Sequence, residues 1–396
     1  MKVQNVRLAH IFAPDVAELH HALAQTAFVI CHKSEPLDIL LRTVWYLPIQ
    51  SPIFVVTNCP ERHLTRMKHG LQRALTSHKN VYLIHQKDRT FAQFFAEHGV
   101  TNILGPDGTI VDGKGEGMYL GALCALLLGA AQWLVYFDAD NFMPSALLEY
   151  TLALGTLFWS ERSQDALTQQ ESGSAGATAT VSHHLHTVRI NWASKPDLHA
   201  PSWDTPRLGR CSKVVAPVVN ALLAERFAIS HPAVTTSNAG EQGMTIETAR
   251  RLRFSSGYSI ETFQLLDFLS RAAHPSCHAL LQQYQANSPH FHEKGDPDHI
   301  RRMIAESLGS FSAFEHLLTP TVLRQLRQIQ RELELAFVIP RIYPPLEALA
   351  VQADAAILER YRPASVSAAW KPISVEAYRL VRDAPTPAEW EDESTA

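Results

Sequence analysis

Short apolar runs alternate with amphipathic stretches through the first third of the chain. Runs rich in β-branched residues at 26–31, 52–57 and 81–85 predict strands. Apolar residues at helical spacing predict helices over 36–47 and 61–75. This order is typical of an α/β fold with a parallel sheet and helices on both faces. In such sheets ligands bind beyond the carboxyl ends of the strands, so polar residues that follow the strands are the first candidates for a site.

An uncharged run at 119–137 is about long enough to span a bilayer. Gly129 divides it into a half rich in Ala and Leu and a strand-like half, WLVYF, and no basic flank follows. We therefore predict a buried helix that starts near Gly115, then a buried strand at 133–137.

The second half of the chain changes character more than once. Residues 160–182 are rich in Ser, Ala, Thr, Gln and Gly without apolar periodicity, which predicts a mobile surface insertion. Residues 184–192 alternate like a strand, and helices are predicted at 212–226, 241–252 and 260–272. We predict a core over 1–318, then a helical C-terminal region over 319–396 (helical stretches at 319–336 and 345–361) with a frayed acidic tail.

Composition limits the classes of partner. Of 396 residues 46% are hydrophobic, enough for a sizeable core, and the formal net charge of -4 provides no general attraction to nucleic acid or anionic lipid. An anionic substrate would need local cations. The five cysteines are scattered without zinc spacing, and no signal-peptide pattern opens the chain. We expect reduced thiols in a cytoplasmic protein that binds neither nucleic acid nor a membrane.

The strongest chemical pattern is the triplet Asp138-Ala139-Asp140, directly after the predicted buried strand. Two carboxylates one residue apart at a strand end are suited to a hard divalent cation, which neutralises a diphosphate. Such triplets also occur as ordinary solvated turns, so its place after the strand is what favours the metal site.

Three further segments contain residues suited to anions or metals. Residues 112–118 (DGKGEGM) open a helix with glycines and Lys114, which favours a phosphate. Residues 207–213 (RLGRCSK) offer cations and donors before another helix. Residues 289–295 (PHFHEKG) place two histidines on one side of an extended segment, so that one of them could bind a metal. The alternatives are plain helix starts and an exposed loop. A zinc hydrolase would need three convergent ligands, and HFHE is not the helical HExxH pattern.

Taken together, the segments resemble the mannosyl-3-phosphoglycerate synthases, which are retaining glycosyltransferases of the GT-A fold. The matching motifs occur in the family's order over roughly residues 25–312: HQKD, GKGEGM, FDADN, VRINW–KP, GRCSK, NAGEQGMT, SSGYSIE, PHFHEKG–HI and ESLGS. The resemblance implies a GT-A type nucleotide-binding sheet with flanking helices, and transfer of mannose from GDP-mannose to 3-phosphoglycerate with Mg²⁺, Mn²⁺ or Co²⁺. The product belongs to mannosylglycerate biosynthesis, and a homodimer is compatible with the family.

The resemblance also implies roles for individual residues, carried over position by position. The implied metal ligands are Asp138, Asp140 and His292. The donor half comprises Glu35, Gln86, Lys87, Lys114, Asp138 and Ala139, and the acceptor half comprises Gly209, Arg210 and Ser212. The implied catalytic groups are Asp138, Lys114 and Glu261, the last of which faces the reacting sugar in related enzymes.

The chain departs from the family pattern at several positions. It reads CHKSE at 31–35 where the family tends to read PTRNE, and it carries Gln242 and Gly243 where NAGEHAM is more usual. Three other functions stay open at this point: a glucosyl-3-phosphoglycerate synthase, a nucleotidyltransferase, and a sugar-nucleotide binding protein without turnover.

Overall fold

The structure is a computed structural model that describes residues 1–7, 15–75, 80–141, 143–172, 183–192, 209–291 and 297–363. The strands are β1 (Lys2–Arg7), β2 (Thr26–His32), β3 (Ile53–Thr57), β4 (Val81–His85), β5 (Trp133–Asp138), β6 (His183–Asn191), β7 (Gln242–Thr245), β8 (Phe254–Ser255), β9 (Cys277–Gln285) and β10 (Ile342–Tyr343). The α-helices are α1 (Val16–Ala24), α2 (Leu37–Trp45), α3 (Glu61–Ala74), α4 (Arg89–Glu97), α5 (Lys114–Leu128), α6 (Pro144–Ser172), α7 (Arg210–Phe227), α8 (Ile246–Arg251), α9 (Ile260–Ala272), α10 (Pro297–Gly309), α11 (Pro320–Glu332) and α12 (Ala356–Glu359).

Eight strands form one sheet in the order β1-β9-β6-β7-β5-β2-β3-β4. The predicted β-α-β-α half is confirmed, because β5, β2, β3 and β4 pair in parallel. The sheet as a whole is mixed, since β7 runs antiparallel to both β5 and β6. The predicted α/β class with helices on both faces is confirmed by two apolar clusters, one on each side of the sheet.

The central strands are continuous apolar runs because the sheet is covered on both faces. All five residues of β3 are buried, and β5 is buried from Trp133 to Phe137. Helix α5 packs beneath them and is itself almost entirely buried. The prediction of a buried helix and strand over 119–137 is thus confirmed. Among the described helices none is long and apolar enough to cross a membrane.

The predicted helix at 241–252 is wrong in its first half. Residues 242–245 form β7, and α8 starts only after Thr245, whose hydroxyl accepts a hydrogen bond from the Thr248 amide. Gly243 has no room for a side chain, because a Cβ there would meet the Phe158 ring. Residues 242–245 form a strand because pairing with two neighbouring strands outweighs their local helix propensity. The helices predicted at 212–226 and 260–272 and the strand at 184–192 are confirmed.

The predicted irregular segment 160–182 is wrong for its first part, because α6 continues to Ser172. Between Gly155 and Ser172 the sequence contains no Pro or Gly. Intrinsic helix propensity therefore favours the helical conformation here although no apolar stripe is present. Residues 173–182 lie outside the described part of the chain, as does the tail predicted to be frayed.

The C-terminal region is less helical than expected. Helix α11 is confirmed, but over 345–361 the chain forms only a short 3₁₀ turn (Leu346–Leu349) and α12. Ala350 ends the 3₁₀ turn in the left-handed region at φ 48°. The region also packs on the core, since β10 pairs with β8 and Leu83 donates to the carbonyl of Tyr361.

Candidate active site

A cleft of about 560 Å³ lies beyond the carboxyl ends of β2 to β5, where ligands of such sheets bind. The starts of α5, α7 and α9 close its other side. Its lining includes the following predicted site residues: Glu35, Gln86, Lys114, Asp138, Ala139, Asp140, Gly209, Arg210, Ser212 and Glu261. The structure therefore brings these residues together, and their individual roles stay predictions.

Two predicted residues are not placed in this lining. The Lys87 side chain is half-exposed, and its ammonium lies 3.4 Å from a carboxylate oxygen of Asp112, which itself lines the cleft. His292 lies outside the described residues. The neighbouring His290 and the following His299 both line the cleft.

Lys114 is the central charged group of the cleft. Its ammonium lies 2.6 Å from Asp138 Oδ1 and 2.6 Å from Glu261 Oε1. Burial lowers the pKa of Lys114, but the two carboxylates outweigh that effect and hold its pKa well above the usual value. The lysine is therefore a permanent cation, joining the first residue of α5 to the end of β5 and the start of α9.

The loop before α5 is fixed by Gln86. Its buried amide donates to the carbonyls of Val111 (2.7 Å) and Gly113 (3.2 Å). This side-chain amide therefore positions the loop that presents Lys114. Gly115, in the first turn, packs so closely on the carbonyl of Ser255 that no Cβ could fit there. Together these contacts explain why the segment needs glycine beside the lysine.

The carboxylates of Asp138 and Asp140 follow β5 directly. Asp138 lies between Lys114 on one side and the Cα of Gly240 on the other, where a Cβ would overlap its Oδ2. Asp140 has one carboxylate oxygen fully buried. Within the described ranges no three His, Cys, Asp or Glu side chains form a complete metal cluster. The donor set nevertheless fits a hard cation, because oxygen ligands of this type are those that Mg²⁺ and Mn²⁺ prefer.

At the β2 end of the cleft, His32 bridges two segments. Its Nδ1 lies 2.9 Å from the Thr57 hydroxyl and its Nε2 lies 3.0 Å from the Glu35 carbonyl. Burial lowers the pKa of His32, against the opposing effect of Glu35. The Glu35 carboxylate accepts from the Lys33 amide at 2.7 Å, which closes a compact turn at 32–35.

The predicted acceptor half is the start of α7. Gly209 is the residue before the helix, and Arg210 begins it, so helix amide groups face the cleft. The Ser212 hydroxyl accepts a hydrogen bond from the amide of Asn238 (3.3 Å), which ties α7 to the 237–241 loop. Asn238 in turn donates to Ser307 and to Thr262.

Arg189 is a site-forming residue that the sequence analysis did not single out. Its guanidinium is fully buried and donates to the carbonyls of Thr236, Ser237 and Glu261 and to the side chain of Gln242. Burial lowers its pKa to about 10, with the Glu261 charge opposing. An arginine inside an apolar strand pattern was the available signal, because such a charge is rarely buried without partners.

A second unpredicted group surrounds Glu241, whose carboxylate is fully buried. The Trp192 indole donates to it at 2.9 Å, and Nδ1 of His290 lies 3.4 Å from its other oxygen. The Trp192 and His290 rings stack at 4.7 Å. Both rings line the cleft, so this group forms a rigid wall beside the start of α7.

Comparison with known proteins decides the family. A sequence profile of mannosyl-3-phosphoglycerate synthases matches residues 3–358. The chain belongs to the mannosyl-3-phosphoglycerate synthase family. The resemblance inferred from nine short motifs is therefore confirmed, and the family match extends well past residue 312 into the C-terminal region.

Two relatives carry the name mannosyl-3-phosphoglycerate synthase. The one from Pyrococcus furiosus is 29% identical over 310 residues, which is 74% of this chain and 73% of the relative. The one from Aeropyrum pernix is 28% identical over 314 residues, 75% of this chain and 74% of the relative. A solved structure of glucosyl-3-phosphoglycerate synthase from Mycobacterium tuberculosis with phosphoglyceric acid has 13% identity and a TM-score of 0.48, covering 88% of this chain and 99% of that one.

Proposed function

We propose that this protein transfers mannose from GDP-mannose to 3-phosphoglycerate with retention of the anomeric configuration. The observation that carries the proposal is the Lys114 ammonium held between Asp138 and Glu261, in a cleft at the strand ends of a chain that belongs to this family. The product, mannosyl-3-phosphoglycerate, would serve synthesis of the compatible solute mannosylglycerate in the cytoplasm.

The donor half of the site is proposed at the ends of β2 to β5. Glu35 and the turn around His32 border the region for the nucleotide, and Lys114 is available to the diphosphate. Gln86 acts through the loop that it holds, because its amide group is bound to backbone carbonyls. The half-exposed Lys87 lies outside the cleft lining, so we assign it an indirect role through its ion pair with Asp112, which lines the cleft.

A divalent cation is part of the proposal because of the local charge. The cleft lining includes five carboxylates, those of Glu35, Asp112, Asp138, Asp140 and Glu261, and four cationic side chains, those of Lys33, Lys114, Arg210 and Arg302. Of these cations Lys114 is already paired with the carboxylates of Asp138 and Glu261. An anionic diphosphate would be repelled by this set unless a cation joined it. Asp138 and Asp140, with His292, are proposed to hold Mg²⁺, Mn²⁺ or Co²⁺, which would stabilise charge on the departing diphosphate.

The acceptor half is proposed at Gly209, Arg210 and Ser212. The N-terminus of α7 favours an anion, and the Arg210 guanidinium can hold a phosphate or carboxylate with two parallel hydrogen bonds. The acceptor hydroxyl attacks the anomeric carbon from the face that the diphosphate leaves. The departing phosphate oxygen takes the hydroxyl proton, so no separate base is required, and electrostatic stabilisation is the main catalytic effect.

The experiment is to offer 3-phosphoglycerate with each of four donors: GDP-mannose, GDP-glucose, UDP-mannose and UDP-glucose. Mass spectrometry of the products should show a hexosyl-3-phosphoglycerate with GDP-mannose at the highest rate. Faster turnover of UDP-glucose would instead assign a glucosyl-3-phosphoglycerate synthase. Nucleotide binding without any product would assign a binding protein.

A further inference from the structure

Glu116 is a buried carboxylate with no role in the proposed chemistry. It lies in the first turn of α5, two residues after Lys114, and its exposed fraction is 1%. The Tyr343 hydroxyl donates to its Oε1 at 2.6 Å, and the amide of Gly257 donates to its Oε2 at 3.1 Å. Burial raises the pKa of Glu116, while these two hydrogen bonds act in the opposite direction. Burying a carboxyl group here is costly, so its position calls for a reason.

The two partners of Glu116 come from distant parts of the chain. Gly257 belongs to the turn between β8 and α9, and its φ of 62° lies in the left-handed region that favours glycine. Tyr343 belongs to β10, in the C-terminal region. This region is fastened to the same turn a second time, because Ser256 and Arg341 exchange hydrogen bonds of 3.0 Å.

The turn held by Glu116 leads directly to a proposed catalytic group. After Gly257, the amide of Tyr258 donates to Glu306 at 2.6 Å, and α9 then presents Glu261 to the Lys114 ammonium. The start of α5 is thus joined to the turn at 255–257 through Glu116, and to α9, which follows that turn, through the Lys114–Glu261 pair. Gly115 lies between these contacts, pressed on the Ser255 carbonyl.

We infer that Glu116 and Tyr343 are positioning residues, which set the distance and orientation of the Lys114–Glu261 pair toward the donor diphosphate. The C-terminal segment around Tyr343 is accordingly a structural part of the active site, although it lies beyond the predicted core boundary at 318. Charged hydrogen bonds form both contacts, the one between Tyr343 and Glu116 and the one between Lys114 and Glu261, and such bonds are short and directional. The inference rests on the proposed role of the cleft as a nucleotide-sugar site.

The decisive variant is Tyr343→Phe, which removes the hydroxyl and keeps the buried ring. Its matched control is Tyr82→Phe. The Tyr82 hydroxyl is likewise bonded to a charged side chain, because it accepts from the Arg362 guanidinium at 2.9 Å, but Tyr82 lies on β4 and does not line the cleft. Both variants lose one hydrogen bond of a buried tyrosine, so a general loss of stability affects them alike.

For Tyr343→Phe we expect kcat/KM for the donor to fall about tenfold, with the KM for 3-phosphoglycerate unchanged. Tyr82→Phe should stay within about twofold of wild type on both measures. Glu116→Gln keeps a side-chain oxygen as acceptor and should lose less than Glu116→Ala. Equal kinetic losses in Tyr343→Phe and Tyr82→Phe, or a loss confined to the acceptor KM, would overturn the inference.

A binding measurement separates this inference from the proposed function. The dissociation constants of GDP and UDP are measured by calorimetry on wild type, Tyr343→Phe and Tyr82→Phe, with Mg²⁺ present. About tenfold weaker binding in Tyr343→Phe alone supports the positioning role even if wild type fails to transfer mannose, in which case only the proposed function falls. Unchanged nucleotide binding in Tyr343→Phe, or no nucleotide binding by wild type, contradicts it.

Discussion

The Lys114 ammonium lies 2.6 Å from the Asp138 carboxylate, so the first residue of α5 is joined to the last residue of β5. The contact places a permanent positive charge at the strand end where a diphosphate would bind. It also means that one oxygen of a proposed metal ligand is held by a lysine.

Removing the lysine charge should affect both activity and stability. Lys114→Ala leaves the carboxylates of Asp138 and Glu261 facing each other without their common partner. We expect kcat/KM for the donor to fall by at least about a hundredfold. The free energy of unfolding should fall by about 3 kcal/mol, as for other buried ion pairs that lose one member. Steady-state kinetics and urea denaturation measure the two effects, and full activity would exclude Lys114 from the donor site.

Activity should depend on a divalent cation held by Asp138, Asp140 and His292. Excess chelator should abolish transfer, and added Mg²⁺ or Mn²⁺ should restore it. Asp140→Ala and His292→Ala should be inactive with nearly unchanged melting temperatures. Glu97→Gln, which alters an exposed carboxylate on α4, is the matched control and should be fully active. Undiminished transfer in excess chelator would exclude the metal.

Arg210 should control acceptor affinity. Arg210→Ala removes the guanidinium at the start of α7 and should raise the KM for 3-phosphoglycerate at least about tenfold, with donor binding nearly intact. Arg210→Lys should recover only part of the loss, because a point charge cannot form two parallel hydrogen bonds. A variant that binds the donor more weakly and the acceptor normally would move this segment to the donor half.

The Cys31 thiol should be unreactive although it borders the cleft. Burial raises the pKa of Cys31 to about 12. The positive charge of Lys114 lowers this pKa, and the negative charge of Asp138 raises it. At pH 8 only about one Cys31 thiol in ten thousand would then be ionised, and the thiolate is the reactive form. Mass spectrometry after iodoacetamide treatment should find Cys31 unmodified in the folded protein and modified in urea. Rapid labelling of the folded protein would show that the β2 end of the cleft is open to solvent.

Residues 173–182 should be dispensable for folding. Their composition of small and polar residues offers too little apolar surface to offset the entropy lost on ordering. Replacing them with a short Gly-Ser linker, and leaving α6 intact to Ser172, should keep the melting temperature nearly unchanged. A large decrease would mean that the segment packs on the core.

Much of this architecture could be predicted from local pattern. The strands β2 to β5 are apolar runs that a buried parallel sheet requires, and the residues that follow them meet in one cleft. The antiparallel strand β7 could not be predicted in this way, because its structure depends on the pairing offered by β5 and β6 rather than on its own residues. Helix α6 continues beyond the end of its apolar pattern, because apolar periodicity indicates that one face of a helix is buried and not that a segment is helical.

The candidate site likewise contains residues that the sequence predicts and residues that it does not. Lys114, Asp138 and Arg210 stand in short motifs whose chemistry is visible in the sequence. The residues that hold the surrounding segments are not visible in this way, because Arg189 contacts Glu261, and Tyr343 contacts Glu116, from positions far away in the chain. Isolated polar residues in apolar surroundings are the only sign that such residues leave in a sequence.

Transfer of mannose is measured most directly by ³¹P and ¹H NMR of a reaction that contains the protein, GDP-mannose, 3-phosphoglycerate and Mg²⁺. We expect the ³¹P spectrum to show one GDP released for each mannosyl-3-phosphoglycerate formed, and no reaction when 3-phosphoglycerate is omitted. The anomeric ¹H signal of the product should show that the α-linkage of the donor is kept. Release of pyrophosphate in a parallel reaction with GTP and mannose 1-phosphate, together with no transfer to 3-phosphoglycerate in the first reaction, would instead identify a nucleotidyltransferase and contradict the proposed function.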